Sequence, residues 1–215
     1  MNISPSSTPL FAALHPDDRF DEKLRALKGR VLSLVGPQLF LDHPPHLTLY
    51  LAGFRSEEGV TAEIERWIDR AESPQLSVVG WHVFRADALT GNHSLVCELR
   101  LEDEERLRLY QEKFIGRIAP LRDAAASTAR FEPSRNRLSP TEWKSVENCG
   151  FPYVGELWKP HFTVASIRPG DWEAVWSALK GLAPAGAVNC PTLGLYRLRG
   201  EHPEPVRTFR LKESP

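Results

Sequence analysis

Neither sign of charge prevails in this chain: 27 Lys and Arg stand against 28 Asp and Glu, for a net charge of −1. Proteins that track long duplexes carry a basic footprint, so duplex DNA is not an expected partner. A neutral total still leaves room for a local positive pocket that takes a small anion, a nucleotide or an RNA end. Cysteine is scarce. Cys97, Cys149 and Cys190 are far apart and odd in number, which gives neither metal-ligand spacing nor a disulfide framework. Reduced structural thiols are expected. No apolar run approaches the roughly 18 residues that a membrane helix needs. Met1 to Pro9 is polar and lacks the apolar stretch of a signal peptide. A cytoplasmic protein without a membrane partner is the expectation. Three catalytic signatures are also missing: the Gly-x-Ser-x-Gly elbow, the Gly-x-x-x-x-Gly-Lys-Ser/Thr phosphate loop and the His-Glu-x-x-His zinc helix.

What is present is ordinary globular usage over 215 residues, 41% hydrophobic and 26% charged, enough for a sizeable core. Pro9–His15 reads as a strand. A helix capped by Asp17-Asp18 runs to about Arg30, with Phe20, Leu24, Leu27 and Val31 at helical spacing. Further helices are expected over 57–71, 103–121 and 171–182. Strands are expected over 76–86, 94–101, 158–167, 188–198 and 205–211. The stretch 122–157, rich in Ser, Pro, Arg and Asn, reads as a long irregular loop, and loops of that length are commonly functional.

One pattern occurs twice. Pro45-His46-Leu47-Thr48-Leu49-Tyr50-Leu51 returns as Pro160-His161-Phe162-Thr163-Val164-Ala165. Side chains alternate faces along a strand. His46, Thr48 and Tyr50 are therefore expected on one face, and His161 and Thr163 on the matching one, each imidazole roughly 7 Å from its hydroxyl. The bare His-x-Thr spacing is weak evidence in a chain with 7 His. The shared Pro, the shared alternation and the location of one copy in each half of the chain strengthen it. Two proton carriers and two neutral hydrogen-bond groups around one small space suit phosphoryl transfer at a sugar hydroxyl.

These motifs, with His46-Leu47-Thr48-Leu49-Tyr50-Leu51-Ala52-Gly53 and the approach Gly150-Phe151-Pro152-Tyr153-Val154-Gly155-Glu156-Leu157-Trp158-Lys159-Pro160, resemble the 2H phosphoesterase superfamily, and within it the 2′-5′ RNA ligase-like and cyclic phosphodiesterase-like proteins. The resemblance implies an α+β fold of two pseudo-symmetric lobes, with antiparallel β-sheets facing a central cleft and helices outside, over a single domain 1–215. It implies a metal-independent phosphodiesterase of RNA processing. Such an enzyme acts on 2′,3′-cyclic phosphate ends or related cyclic or 2′-5′ phosphodiesters, with ligation as the reverse direction. His46 and His161 would be catalytic, and Thr48 and Thr163 would bind phosphate. No cofactor and no metal are expected. A monomer that takes a small nucleotide or an RNA end is expected. A binding module without turnover is the alternative, although binding alone has no need of two proton carriers.

The remaining candidates carry bland readings beside sharp ones. Tyr50, Tyr153 and Trp158 would contact a base if their rings face the cleft, as would Phe162; most strand aromatics are core. Arg130, Arg135 and Arg137 would meet an RNA end, or simply be solvated. His43 and His46 are three apart, but Pro44 and Pro45 forbid the helix that would make them a metal pair. His82 is expected in the core. His15, His93 and His202 are expected at strand ends or turns.

Overall fold

The computed structural model describes residues 7–213, so most of the polar start, Met1 to Ser6, lies outside the described residues. Among the described residues the strands are β1 (Thr8–His15), β2 (Leu47–Phe54), β3 (Gln75–Phe84), β4 (His93–Leu99), β5 (His161–Ile167), β6 (Gly186–Asn189), β7 (Thr192–Arg199) and β8 (His202–Arg210). The helices are α1 (Asp18–Val35), α2 (Glu57–Ile68), α3 (Leu101–Ile118), α4 (Ala124–Phe131), α5 (Pro140–Cys149) and α6 (Trp172–Leu179).

The strands form two antiparallel sheets, β2-β1-β7-β8 and β5-β4-β3-β6. Each motif strand is an edge strand, paired with the strand that precedes it across a long helix: β1 and β2 across α1, β4 and β5 across α3. The two sheets exchange their inner neighbours. β3 follows the first motif but joins the second motif's sheet, and β7 follows the second motif but joins the first motif's sheet. The lobes are thus not the two halves of the sequence. The expected strand 188–198 divides for the same reason: Cys190-Pro191 separates β6 in one sheet from β7 in the other.

Both motif strands carry a β-bulge one residue after the Thr. In the first sheet Ala12 pairs with Tyr50 and Ala13 with Thr48, which leaves Leu49 as the extra residue. In the second, Leu95 pairs with Ala165 and Val96 with Thr163, which leaves Val164 extra. A bulge breaks the alternation of faces. Thr48 and Leu51 therefore share the cleft face, and Tyr50 turns inward, where it is 1% exposed and its hydroxyl donates to the Cys149 carbonyl. The expectation that Tyr50 shares the His46 face fails on that one inserted residue.

The stretch 122–157 is not irregular. Asp123 caps α4 by accepting from the Ala126 N–H. Ser139-Pro140-Thr141-Glu142 starts α5 with a capping box and Pro in its first turn, and Gly150 ends it at φ 79°. A Cβ at Gly150 would also come within 2.9 Å of Arg122 and Ser127 side-chain carbons. The helical insert docks on β2: the Asp123 N–H donates to the Gly53 carbonyl, and the Gly53 N–H donates to Ser127 Oγ.

Candidate active site

The open side of the two sheets is a cleft of about 1020 Å³. His46, Thr48, His161 and Thr163 all line it. The prolines before each His hold an extended approach, and the two approaches build the same local device. Nδ1 of His46 donates to the Pro44 carbonyl at 2.7 Å, and Nδ1 of His161 donates to the Lys159 carbonyl at 2.6 Å. In each case the carbonyl lies two residues back. That hydrogen bond selects the Nδ1–H tautomer and leaves Nε2 as the nitrogen free to exchange a proton. Each ring also rests on a phenylalanine: Phe11 at 5.4 Å from His46, Phe84 at 5.0 Å from His161.

Burial in the cleft walls lowers both imidazoles from the usual histidine value of 6.5, His46 to about 3 and His161 to about 4, against the raising effect of the two carbonyls. Their further surroundings differ. His43, His15 and Lys28 each push His46 down, and the His43 ring lies 6.0 Å away, near parallel. His161 has the Asp87 carboxylate to raise it, opposed by His82 and Lys159. Near the first imidazole the lysine is a cation; near the second the Asp87 carboxylate and the Lys159 ammonium oppose each other.

The other sequence candidates divide. Tyr153 lines the cleft, edge-on to Phe151 at 5.8 Å. Trp158 contributes to the wall but is 5% exposed and packs in the main core. Phe162 is wholly core, against Phe20. Arg130 and Arg137 line the cleft, and Arg137 holds the Ala88 and Leu89 carbonyls of the β3–β4 turn. Arg135 does not join them, since it pairs with Glu132 and lies over the Trp143 ring. His82, expected in the core, is half-buried near Glu98. His43 donates through Nε2 to the Glu201 carbonyl, 2.7 Å away. Among the described residues no group of three His, Cys, Asp or Glu is placed to hold a metal ion. Cys97, Cys149 and Cys190 are free thiols. No helix is long and apolar enough to cross a membrane among the described residues.

Two buried polar residues escaped the sequence reading. Gln111 of α3 donates to the Leu49 carbonyl, at the first bulge, and to the Tyr153 carbonyl, and accepts from the Gly155 N–H. It ties the first motif strand to the approach of the second. Lys28 of α1 lines the cleft while 6% exposed. The signal was a polar residue inside an apolar stripe: Leu24, Leu27, Lys28, Val31 in one helix and Leu107, Gln111, Phe114, Ile118 in the other.

Comparison with known proteins supplies a family. The model described as "2′-5′ RNA ligase superfamily" matches residues 16–202. No curated protein sequence matches. Among solved structures, TT0787 of Thermus thermophilus is similar with a TM-score of 0.59 and 18% identity, over 96% of this chain and 100% of that one. A protein described as a phosphoesterase gives 0.50 and 13%, over 96% and 99%. E. coli LigT complexed with NADP+ gives 0.47 and 14%, over 97% and 99%. At these identities the likeness to TT0787 shows a shared fold.

Proposed function

Because this chain belongs to the 2′-5′ RNA ligase superfamily, we propose that it is a metal-independent phosphodiesterase of 2′,3′-cyclic phosphate ends, or of related cyclic or 2′-5′ phosphodiesters, on nucleotides or RNA. One observation carries the reading: two imidazoles with Nδ1 committed to a backbone carbonyl face one cleft, each with a Thr two residues on. A mere nucleotide-binding module has no use for two such groups.

The chemistry follows from the surroundings. His46, kept neutral chiefly by burial and further by the Lys28 charge, takes the proton of the attacking water at Nε2. The water oxygen bonds to phosphorus as the bond from phosphorus to one ribose oxygen breaks. His161, which has Asp87 nearby, gives its Nε2 proton to that departing oxygen. Water and cyclic diester become a hydroxyl and a phosphomonoester, and each imidazole ends in the other's starting state. Thr48 and Thr163 donate to nonbridging oxygens. Both imidazoles are neutral in the empty cleft near pH 7, so the proton on His161 arrives with the anionic substrate, whose charge raises its pKa. In the ligating direction the same groups exchange roles.

The test is a panel of 2′,3′-cyclic nucleotides and oligonucleotides ending in a 2′,3′-cyclic phosphate, with and without chelator, products resolved as 2′- or 3′-phosphate. Turnover that survives chelation supports the reading. Turnover that disappears with chelator and returns with a divalent ion overturns it.

A further inference from the structure

Lys28 occupies a position where its helix otherwise puts hydrocarbon. The buried face of α1 is Phe20, Leu24, Leu27, Lys28 and Val31. An ammonium is seldom buried without a compensating partner, because desolvation opposes its charge. Here Nζ donates to the Phe40 carbonyl. Among the described residues it has no carboxylate within ion-pair distance. An ammonium has three N–H donors, so two are left. Phe40 itself stands at φ 68°, an unusual conformation for a bulky residue, and it too lines the cleft. The Lys28 charge is felt at both His43 and His46. The side chain thus reaches the floor of the cleft on the His46 side with donors to spare.

We infer that Lys28 is a phosphate-binding residue, placed to hold an anionic oxygen of the substrate on the His46 side of the cleft. The inference rests on reading the cleft as a phosphoester site. It adds a formal cation to a site whose four motif side chains are neutral near pH 7. An oxyanion supplies the partner that the empty cleft lacks, and a hydrogen bond between charged groups is the strong kind.

Sulfate is the direct probe, because its charge is constant across neutral and alkaline pH. Burial lowers Lys28 to about 8. The titratable and charged groups about it are Asp42 on the approach to β2, Arg25 and Asp21 on α1, Cys97 on β4, and the imidazoles of His43 and His46. Burial pushes the Cys97 thiol up, so it stays protonated. Lys28 therefore loses its charge as pH rises through about 8.

Sulfate affinity of the wild-type protein, measured calorimetrically at constant ionic strength, should therefore fall as pH rises above about 8. Lys28→Met, which fills the same volume without charge, should bind sulfate about 10- to 100-fold more weakly near pH 7. It should show no such decline at higher pH. If the variant fails to fold, the wild-type profile decides. Affinity that is flat in pH for the wild type, a K28M affinity within twofold of wild type, or no sulfate binding at all would overturn the assignment. The source of the anion is resolved by KM for a 2′,3′-cyclic nucleotide with and without a 5′-phosphate. A rise in K28M for both puts the scissile phosphate at Lys28, and a rise only for the phosphorylated one puts a flanking phosphate there; an unchanged KM for both counts against Lys28. Lys28-dependent sulfate binding without turnover of any cyclic phosphate would sink the phosphodiesterase reading and leave this one standing. Turnover with unaltered sulfate affinity in K28M does the reverse.

Discussion

An imidazole whose Nδ1 is held by a carbonyl has only Nε2 left for proton exchange. The protein builds that constraint twice, at Pro44–His46 and at Lys159–His161. The electrostatics set the pH behaviour. Lowered to about 3 and about 4, both histidines of the free protein are neutral near pH 7. A bound phosphodiester anion favours protonation, so the pKa of His161 in the complex must lie above its free value. The profile of kcat/KM reports the free protein and that of kcat reports the complex. Both should be bell-shaped, with the kcat bell displaced to higher pH; coincident bells would show that substrate charge does not recharge the acid. The hydroxyls contribute less. Thr48→Ala and Thr163→Ala should each lower turnover by less than either histidine substitution, since each removes one hydrogen bond from a phosphate that keeps others. A Thr variant as inactive as a His variant would contradict that ranking.

At the scale of elements, the two motif strands were legible because each rests on a short local pattern: Pro for the approach, alternation for the strand, His and Thr on one face. The bulges were not. Leu49 and Val164 look like ordinary alternating residues, and only the pairing with β1 and β4 shows that each is an extra one. Tyr50 was misassigned on that account. The helices of 122–157 were missed for a different reason. Ser139-Pro140-Thr141-Glu142 and Gly150 are start and stop signals that the abundance of Ser, Pro and Arg obscured. The insert has consequences for substrates larger than a mononucleotide. Arg130→Ala and Arg137→Ala should weaken RNA-ended substrates more than mononucleotides and flatten the salt dependence, because both side chains line the cleft. Arg135→Ala should change neither, since that side chain is spent on Glu132 and Trp143. Equal effects of Arg130 and Arg137 on both substrate classes would make the insert a bystander. Gln111→Leu should destabilise the fold by about 1–3 kcal/mol for each buried group it orphans, read by chemical denaturation. No loss would mean that the Leu49 and Tyr153 carbonyls and the Gly155 N–H find other partners.

The whole molecule binds its two sheets together by exchange. β3 and β7 each leave the sheet of the motif strand before them, and one core cluster runs from Leu10 of the first sheet to Ile167 of the second. Strand order of this kind depends on pairings between distant residues, which no local pattern records; the residue pattern alone gives only the alternation of strands and helices. The shared cleft also carries a cost at low pH. His15, His43, His46, His82 and His161 all have folded pKa values below 6.5, with burial the largest cause in each case. The unfolded chain therefore binds more protons than the folded one from about pH 6.5 downward. Stability should fall as pH drops through that value and stop falling on this account near pH 3 to 4, where the folded imidazoles also titrate. The double variant His46→Ala, His161→Ala should lose less melting temperature between pH 7 and pH 4 than the wild type does. An equal or larger loss would show that these two groups are not held neutral by the fold.

One measurement bears most directly on the two-imidazole mechanism: single-turnover hydrolysis of an oligonucleotide ending in a 2′,3′-cyclic phosphate, in the presence of chelator, by the wild type, His46→Ala, His161→Ala and the double variant. The wild type should hydrolyse the end. Each single variant should be slower by roughly 10²–10⁴-fold with substrate affinity little changed, and the double variant should lose less than the product of the two single losses, because the pair acts as one unit. Near-full activity in either single variant would make that histidine structural and contradict the mechanism.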